Sequence, residues 1–323
     1  MEQRAERFVT ISDLVYALVQ APVDGNEWIE ANLPRPGDHL GRFEIVREIG
    51  RGGHGVVFEA RDLALGRLVA LKSVPRGRAE ADPARVEALH REAEAMASLH
   101  HTNIVTLYDY VTSSSGPYLV LELLGGEPLS ARLSRGPLAL GEAVRIASDV
   151  ARALVHSHER GVLHRDLKPG NVSLGPRGEV KVLDFSFAST RGRARTGGGT
   201  PGYMAPEQLE GRPEDARTDV YALGLLLVHM ITGEPPLPPE RRGEPARIPQ
   251  LEARTLPFLV LLLESALARD PAHRPDAAEF LLGLEEVARR LKARRWTRRI
   301  AQRFARTASR AGGALAAGAA ASL

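Results

Sequence analysis

The chain has 323 residues, enough for one large domain or two, and no cysteine, which excludes a disulfide framework and thiol chemistry. Its net charge of +3 is unevenly spread: ten basic residues from Arg289 onward meet no acidic one, so residues 1–288 carry −7. A mildly acidic body with a basic tail argues against a nucleic-acid binder, and no run reaches the roughly 18 apolar residues of a membrane-spanning helix. The first residues lack a basic start followed by an apolar run, so no signal peptide is expected. The ten histidines are scattered, which sets aside a zinc cluster.

Residues 1–41 precede the main domain. Phe8, Ile11, Leu14, Val15, Leu18 and Val19 recur at helical spacing, and Pro34, Pro36 and Gly37 then mark a linker. The helix is read as packed on the domain that follows, with a docking role as the alternative. Phe43 to Ile49 alternates as a strand and leads into Gly50-Arg51-Gly52-Gly53-His54-Gly55. Glycines at this spacing are a weak signal alone, because dinucleotide-binding folds carry them too. The β-like run Val56-Val57-Phe58-Glu59-Ala60 is no helix start, so the glycines are expected to cap a hairpin able to close over nucleotide phosphates.

Leu68-Val69-Ala70-Leu71-Lys72 is a further strand ending in a lysine, and lysine is rare here, with four among 43 basic residues. Asp82-Pro83 opens a helix expected to run to about Leu99, with Glu92 and Met96 one turn apart on the face toward the strands and Glu94 as the competing carboxylate. Tyr118 to Leu124 reads as a buried strand, and Gly125-Gly126 as a flexible crossing into a second lobe. Gly141 to Arg160 is an amphipathic helix stopped by Gly161.

His164-Arg165-Asp166-Leu167-Lys168-Pro169-Gly170-Asn171 then puts a carboxylate, an ammonium and a carboxamide within six residues, on a segment that Pro169 and Gly170 keep out of a helix. A base, a phosphate clamp and a metal ligand on one rigid loop are what phosphoryl transfer to a hydroxyl needs. Val180 to Ser186 is a strand ending in Asp184-Phe185-Ser186, and Thr200-Pro201-Gly202-Tyr203-Met204-Ala205-Pro206-Glu207, Asp219 and Arg274 follow in order.

These motifs, spread over roughly residues 42–288, resemble the protein-kinase family, most closely the bacterial serine/threonine kinases of eukaryotic-like (Hanks) type. The resemblance implies an α+β, two-lobed kinase fold, with a small β-rich lobe at about 42–124 and a larger helical lobe at about 125–288. It implies transfer of the γ-phosphate of ATP to Ser or Thr hydroxyls of proteins. Asp166 would serve as base, Lys168 would neutralise the transferred phosphate, and Asn171 and Asp184 would hold Mg²⁺, with Mn²⁺ as the alternative ion. Lys72, held by Glu92, would fix the α- and β-phosphates, and Thr200 would contact Asp166 and Lys168. Ile49, the loop from Gly50 through Gly55 (Arg51, Gly52, Gly53 and His54 included), Val57, Ala70, Leu121, Glu122 and Leu124 would enclose the nucleotide. Glu127 is read as reaching the ribose or as merely exposed. Asp219 would brace the catalytic loop, and Arg274 would pair with Glu207.

Arg165 beside the base implies control by a phosphothreonine, with Thr196 as the site ahead of Thr190 and Ser189, and trans-autophosphorylation within a homodimer. Two departures stand out: Ser186 where the family has glycine, and Ser173 where an apolar side chain lies under adenine. They give footing to the alternative of a nucleotide-binding pseudokinase acting as a scaffold. Beyond residue 288, Trp296, Ile300 and Phe304 form an apolar stripe amid arginines, the composition of an interfacial helix on anionic lipid, with a solvated tail as the equal alternative. The expected location is cytoplasmic, with the inner membrane face as a peripheral site, and 311–323 is an Ala/Gly-rich end.

Overall fold

The structure is a computed structural model that describes residues 33–52, 55–73, 97–113, 116–185, 201–236, 257–294 and 296. Alternating and β-branched runs in the first part form six strands: β1 (His39–Leu40), β2 (Phe43–Gly52), β3 (Gly55–Asp62), β4 (Arg67–Ser73), β5 (Leu107–Ser113) and β6 (Gly116–Glu122). They pair antiparallel in one sheet in the order β1-β2-β3-β4-β6-β5. The expected glycine hairpin is present, since Gly52 pairs with Gly55 across the β2–β3 turn.

Because side chains alternate along a strand, register decides which residues share a face. Leu71 lies opposite both Phe58 and Val120, and these three, with Ile45 and Tyr118, form a dry core. Val57 pairs with Lys72, and Ala70 with Leu121, so these four face away from that core on the other side of the sheet. The last strand of the sheet stops at Glu122, which leaves Leu123 and Leu124 in the irregular crossing rather than in the strand.

The second lobe is helical around its own core. Its elements are β7 (Glu127–Pro128), α1 (Leu129–Leu133), α2 (Leu140–His158), β8 (Val172–Leu174), β9 (Val180–Val182), α3 (Pro206–Leu209), α4 (Ala216–Thr232), α5 (Pro257–Ala266) and α6, residues 277–294. In α2 the buried Ala143, Ile146, Ala147, Val150, Ala151 and Leu154 recur at three and four residues and face α4. Helix α4 is apolar nearly all round and buried throughout its middle. Asp215 caps its start by accepting the Arg217 N–H at 2.8 Å, worth about 1 kcal/mol. Gly233 closes its end with φ +76°, a conformation that costs a side-chain-bearing residue. Helix α2 ends at His158, two residues before the expected limit.

The crossing between lobes has a tighter geometry than a flexible hinge requires. A Cβ on Gly126 would lie 2.1 Å from the Leu174 carbonyl oxygen, so glycine is needed there for close approach of β7 to β8. Strands β7, β8 and β9 form a small sheet under the crossing. Residues 103–105 run along β9, with the Val182 N–H donating to the Asn103 carbonyl at 2.8 Å and the Val105 N–H to the Val182 carbonyl at 3.0 Å. Helix α6 continues through residue 294.

Candidate active site

The loop after α2 begins where Gly161, at φ +72°, turns the chain. Leu167 plugs into the core, and Pro169–Asn171 make one 3₁₀ turn. That turn folds Asn171 back on Asp166: its Nδ2 donates to the Asp166 carbonyl at 2.8 Å and to the carboxylate Oδ2 at 3.2 Å. The Lys168 ammonium donates to the same Oδ2 at 2.8 Å. The three polar groups expected to cooperate are thus one hydrogen-bonded cluster. The Asn171 amide oxygen remains available as an acceptor, as a hard cation needs.

The loop is anchored from beneath by Asp219, the 1% exposed acid on α4. Its Oδ2 accepts the His164 N–H at 2.8 Å and its Oδ1 the Arg165 N–H at 2.7 Å, while His158 Nε2 lies 2.8 Å from Oδ2. Burial pushes the Asp219 carboxyl up, but the hydrogen bond and charge of His158 and the backbone N–H of His164 outweigh it and hold the carboxyl below its ordinary value. His164 is itself buried, and its Nε2 donates to the Leu183 carbonyl at 2.8 Å. Its Nδ1 takes the Asp166 N–H at 3.3 Å. The His164 ring also packs against Phe185, with centroids 4.8 Å apart.

Among the described residues only Arg165, at φ +66°, and Asp184, at φ +57°, combine a side chain with positive φ. Such conformations persist where surroundings hold them, and they gather at functional sites. Asp184 follows β9 outside any strand, which is shorter than the expected run to residue 186, and its carboxylate is ion-paired with the Lys72 ammonium at the end of β4. Glu92, expected on Lys72, lies outside the described residues, as do Gly53, His54, Thr196, Thr200, Ser186, Thr190 and Ser189.

Of the residues expected around the nucleotide, Val57, Ala70, Lys72 and Leu121 share one sheet face, and Gly50 pairs with Val57 beside them. Arg51 forks onto Glu48, with Nε–Oε1 3.0 Å and Nη2–Oε2 2.7 Å, on the exposed side of the hairpin. Ile49 is exposed at the same end, and Glu122 and Leu124 are half-buried at the crossing. Glu127 is engaged by Arg135 through two hydrogen bonds, which gives it a partner of its own. Ser173 is buried in β8 opposite Lys181.

Four contacts were not foreseen from sequence. Lys181 Nζ donates to Glu122 Oε2 at 2.8 Å and to the Ile104 carbonyl at 3.2 Å, tying β9 to the crossing. Thr106 donates to the same carboxylate oxygen through its N–H at 3.3 Å and its hydroxyl at 3.2 Å. Arg165 Nε lies 3.5 Å from Glu214 Oε2, in the segment between α3 and α4. The charge signs were visible in the sequence, but the separations, 59 residues for Lys181–Glu122 and 49 for Arg165–Glu214, left no local pattern to find them by. The expected Glu207–Arg274 pair does form, fully buried and forked at 2.7 and 2.8 Å, with the Thr218 hydroxyl on Glu207 at 2.8 Å.

Comparisons with known proteins give the family. The family described as protein kinase domain matches residues 43–284. The serine/threonine-protein kinase Pkn1 of Myxococcus xanthus is 38% identical over 263 residues, covering 77% of this chain and 38% of Pkn1. The kinase PknB of Mycolicibacterium smegmatis is 36% identical over 270 residues, 76% of this chain and 43% of PknB. PknA of Mycobacterium tuberculosis is 37% identical over 261 residues, 75% of this chain and 60% of PknA. The chain thus spans 38% to 60% of the length of these relatives. The solved kinase domain of PknI from Mycobacterium tuberculosis superposes with a TM-score of 0.64 at 29% identity, covering 79% of this chain and 100% of that one. The chain belongs to the protein kinase family, whose members use ATP and a divalent metal ion. Within it, the relatives place the chain among the bacterial, eukaryotic-like serine/threonine kinases.

Proposed function

We propose that this chain is a working ATP-dependent protein-serine/threonine kinase. The observation that carries the reading is the Asp166–Lys168–Asn171 cluster, joined through His164 and Leu183 to the segment that bears Asp184 and its partner Lys72. Every polar group that phosphoryl transfer asks for is present among these residues.

Asp166 accepts or orients the proton of a substrate Ser or Thr hydroxyl as its oxygen attacks the γ-phosphorus. The bond from that phosphorus to the bridging oxygen breaks, and ADP leaves. Lys168, already hydrogen-bonded to Asp166, neutralises charge on the transferred phosphoryl group, and Lys72 exchanges Asp184 for the α- and β-phosphates. The work is positioning and charge stabilisation in a preformed site. Asn171 and Asp184 offer an amide oxygen and a carboxylate, a donor set suited to Mg²⁺ that also takes phosphate oxygens. When bound, that ion supplies charge neutralisation between the phosphates. Mn²⁺ suits the same donors.

Glu122 and Leu124 at the crossing present backbone groups to adenine, and Ser173 replaces apolar contact beneath it. The loss amounts to about 1–2 kcal/mol by buried-area reckoning, which raises the KM for nucleotide before it abolishes turnover. Control comes from phosphorylation of Thr196 by a second copy of the chain, read by Arg165. Residues 289–323, with ten basic residues and no acid, bring the protein to the anionic inner face of the membrane from the cytoplasm. Among the described residues no helix is long and apolar enough to cross a bilayer.

The test is incubation with labelled ATP, Mg²⁺ and a basic protein substrate, followed by identification of the labelled residues. Phosphoserine or phosphothreonine supports the reading. Nucleotide binding without label transfer would show a pseudokinase.

A further inference from the structure

Arg165 is held at both ends. Its backbone N–H is fixed by Asp219, and its positive φ needs such a hold. Its side chain meets Glu214, with the two side chains 23% and 26% exposed, so the pair is largely sheltered from screening solvent. Gln208 closes the cluster: its Nε2 donates to the Arg165 carbonyl at 2.9 Å and lies 3.4 Å from Glu214 Oε2. Gln208 is the neighbour of Glu207, which Arg274 immobilises. The support beneath Glu214 therefore reaches back to the buried Glu207–Arg274 pair.

We propose that Glu214 is a positioning residue, a built-in carboxylate that holds the Arg165 guanidinium, and with it the catalytic loop, when the activation segment carries no phosphate. The proposal rests on the reading above that Arg165 takes up a phosphothreonine. A phosphate carries a charge of about −1.5 to −2 and repels a carboxylate at the same guanidinium. Phosphorylation thus displaces Glu214 and does not fill a vacant arginine. The enzyme has two alternative anions for one cation, and its unphosphorylated form is already partly arranged.

The groups facing Glu214 set how it responds to pH. Burial raises its proton affinity, Arg165 lowers it, Asp219 raises it, the Gln208 hydrogen bond lowers it and Glu207 raises it, with a net upward displacement. As pH falls through that raised value, Glu214 takes a proton and lets go of Arg165.

The experiment compares kcat and KM of wild type and Glu214→Gln, each treated with phosphatase or allowed to autophosphorylate, with melting temperature as the control for folding. In the dephosphorylated enzyme Glu214→Gln is expected to lower kcat by about fivefold, the scale of one sheltered ion pair, with KM for ATP unchanged. In the phosphorylated enzyme the two proteins are expected to agree within about twofold. The acid limb in kcat of dephosphorylated wild type should be absent from Glu214→Gln. Equal kcat in the dephosphorylated proteins overturns the proposal, as does a deficit that a lowered melting temperature accounts for. A deficit in dephosphorylated Glu214→Gln that phosphorylation leaves unrepaired upholds the hold by Glu214 and overturns Arg165 as the phosphate reader.

Discussion

Lys72 and Asp184, 112 residues apart in the chain, form an ion pair that joins the last residue expected of the β4 motif to the segment after β9. Each is the other's counter-ion, and the pairing keeps the two side chains close. Under the proposed function, Lys72 would turn to the nucleotide phosphates and Asp184 would hold the metal ion, so one pairing would give way to two. The site is therefore neutralised in advance, and less charge has to be rearranged on binding.

The first prediction concerns Asp184. Asp184→Asn removes the carboxylate proposed to hold the metal ion and the partner of Lys72 together. It should lower phosphotransfer by about 10²–10⁴-fold, on the scale of losing a catalytic proton acceptor, and weaken the dependence of rate on Mg²⁺ concentration. A Mg²⁺ titration of initial rate checks both parts, and an unchanged half-saturation would count against Asp184 as a ligand.

Glu207 and Arg274 make the second case, and it is one of stability. Both side chains are 0% exposed, and Arg274 also donates to the carbonyls of Ala268 and Arg269 at 2.7 and 2.9 Å. Arg274→Ala leaves a buried carboxylate without its cation, which should destabilise the chain by about 3–5 kcal/mol in denaturant unfolding. Burial pushes the Glu207 carboxyl up, yet Arg274 and Thr218 pull it below its ordinary value of 4.5. A lowered folded-state value means the contribution is complete above 4.5 and drains away as pH falls through the lowered value. Glu207→Gln should therefore be less stable than wild type at neutral pH, and its stability should fall less steeply at acid pH.

What the sequence made legible follows from locality. Asp166, Lys168 and Asn171 sit within six residues, so their grouping could be read before their hydrogen bonds were known. The hairpin at Gly52–Gly55 and the strand carrying Lys72 were equally local. The face shared by Val57, Ala70, Lys72 and Leu121 follows once the pairing register is given, but register is a property of the sheet and not of any one strand. Gly126 was read as flexibility, whereas its reason is the Leu174 carbonyl, 48 residues onward. Lys181–Glu122 and Arg165–Glu214 stayed hidden for the same reason. The positive φ of Arg165 has no compositional signal, whereas Asp184 is of a type that enters this region more readily than most.

The Lys181 contact supplies a third prediction. Lys181→Met frees the Glu122 carboxylate from β9 while leaving the reacting groups untouched. Because Glu122 sits where the chain crosses between lobes, KM for ATP should rise about threefold with kcat little changed. A fall in kcat at constant KM would assign Lys181 to the chemical step instead.

Residues 289–323 yield the fourth. Their ten basic residues should bind vesicles containing anionic lipid at low salt and release them as salt rises, because screening shortens the reach of each charge. Sedimentation of the full chain with anionic and with neutral vesicles checks this, and equal recovery with both would rule it out.

The most direct measurement sets wild type beside Asp166→Asn, with ATP, Mg²⁺ and a protein substrate under identical conditions. Asn keeps the shape of the side chain that Lys168 and Asn171 hold, but it cannot take a proton. The account predicts that label transfer falls by about 10²–10⁴-fold while ATP still raises the melting temperature of both proteins. Equal, background-level transfer by the two proteins would contradict it, and the chain would then be a nucleotide-binding scaffold.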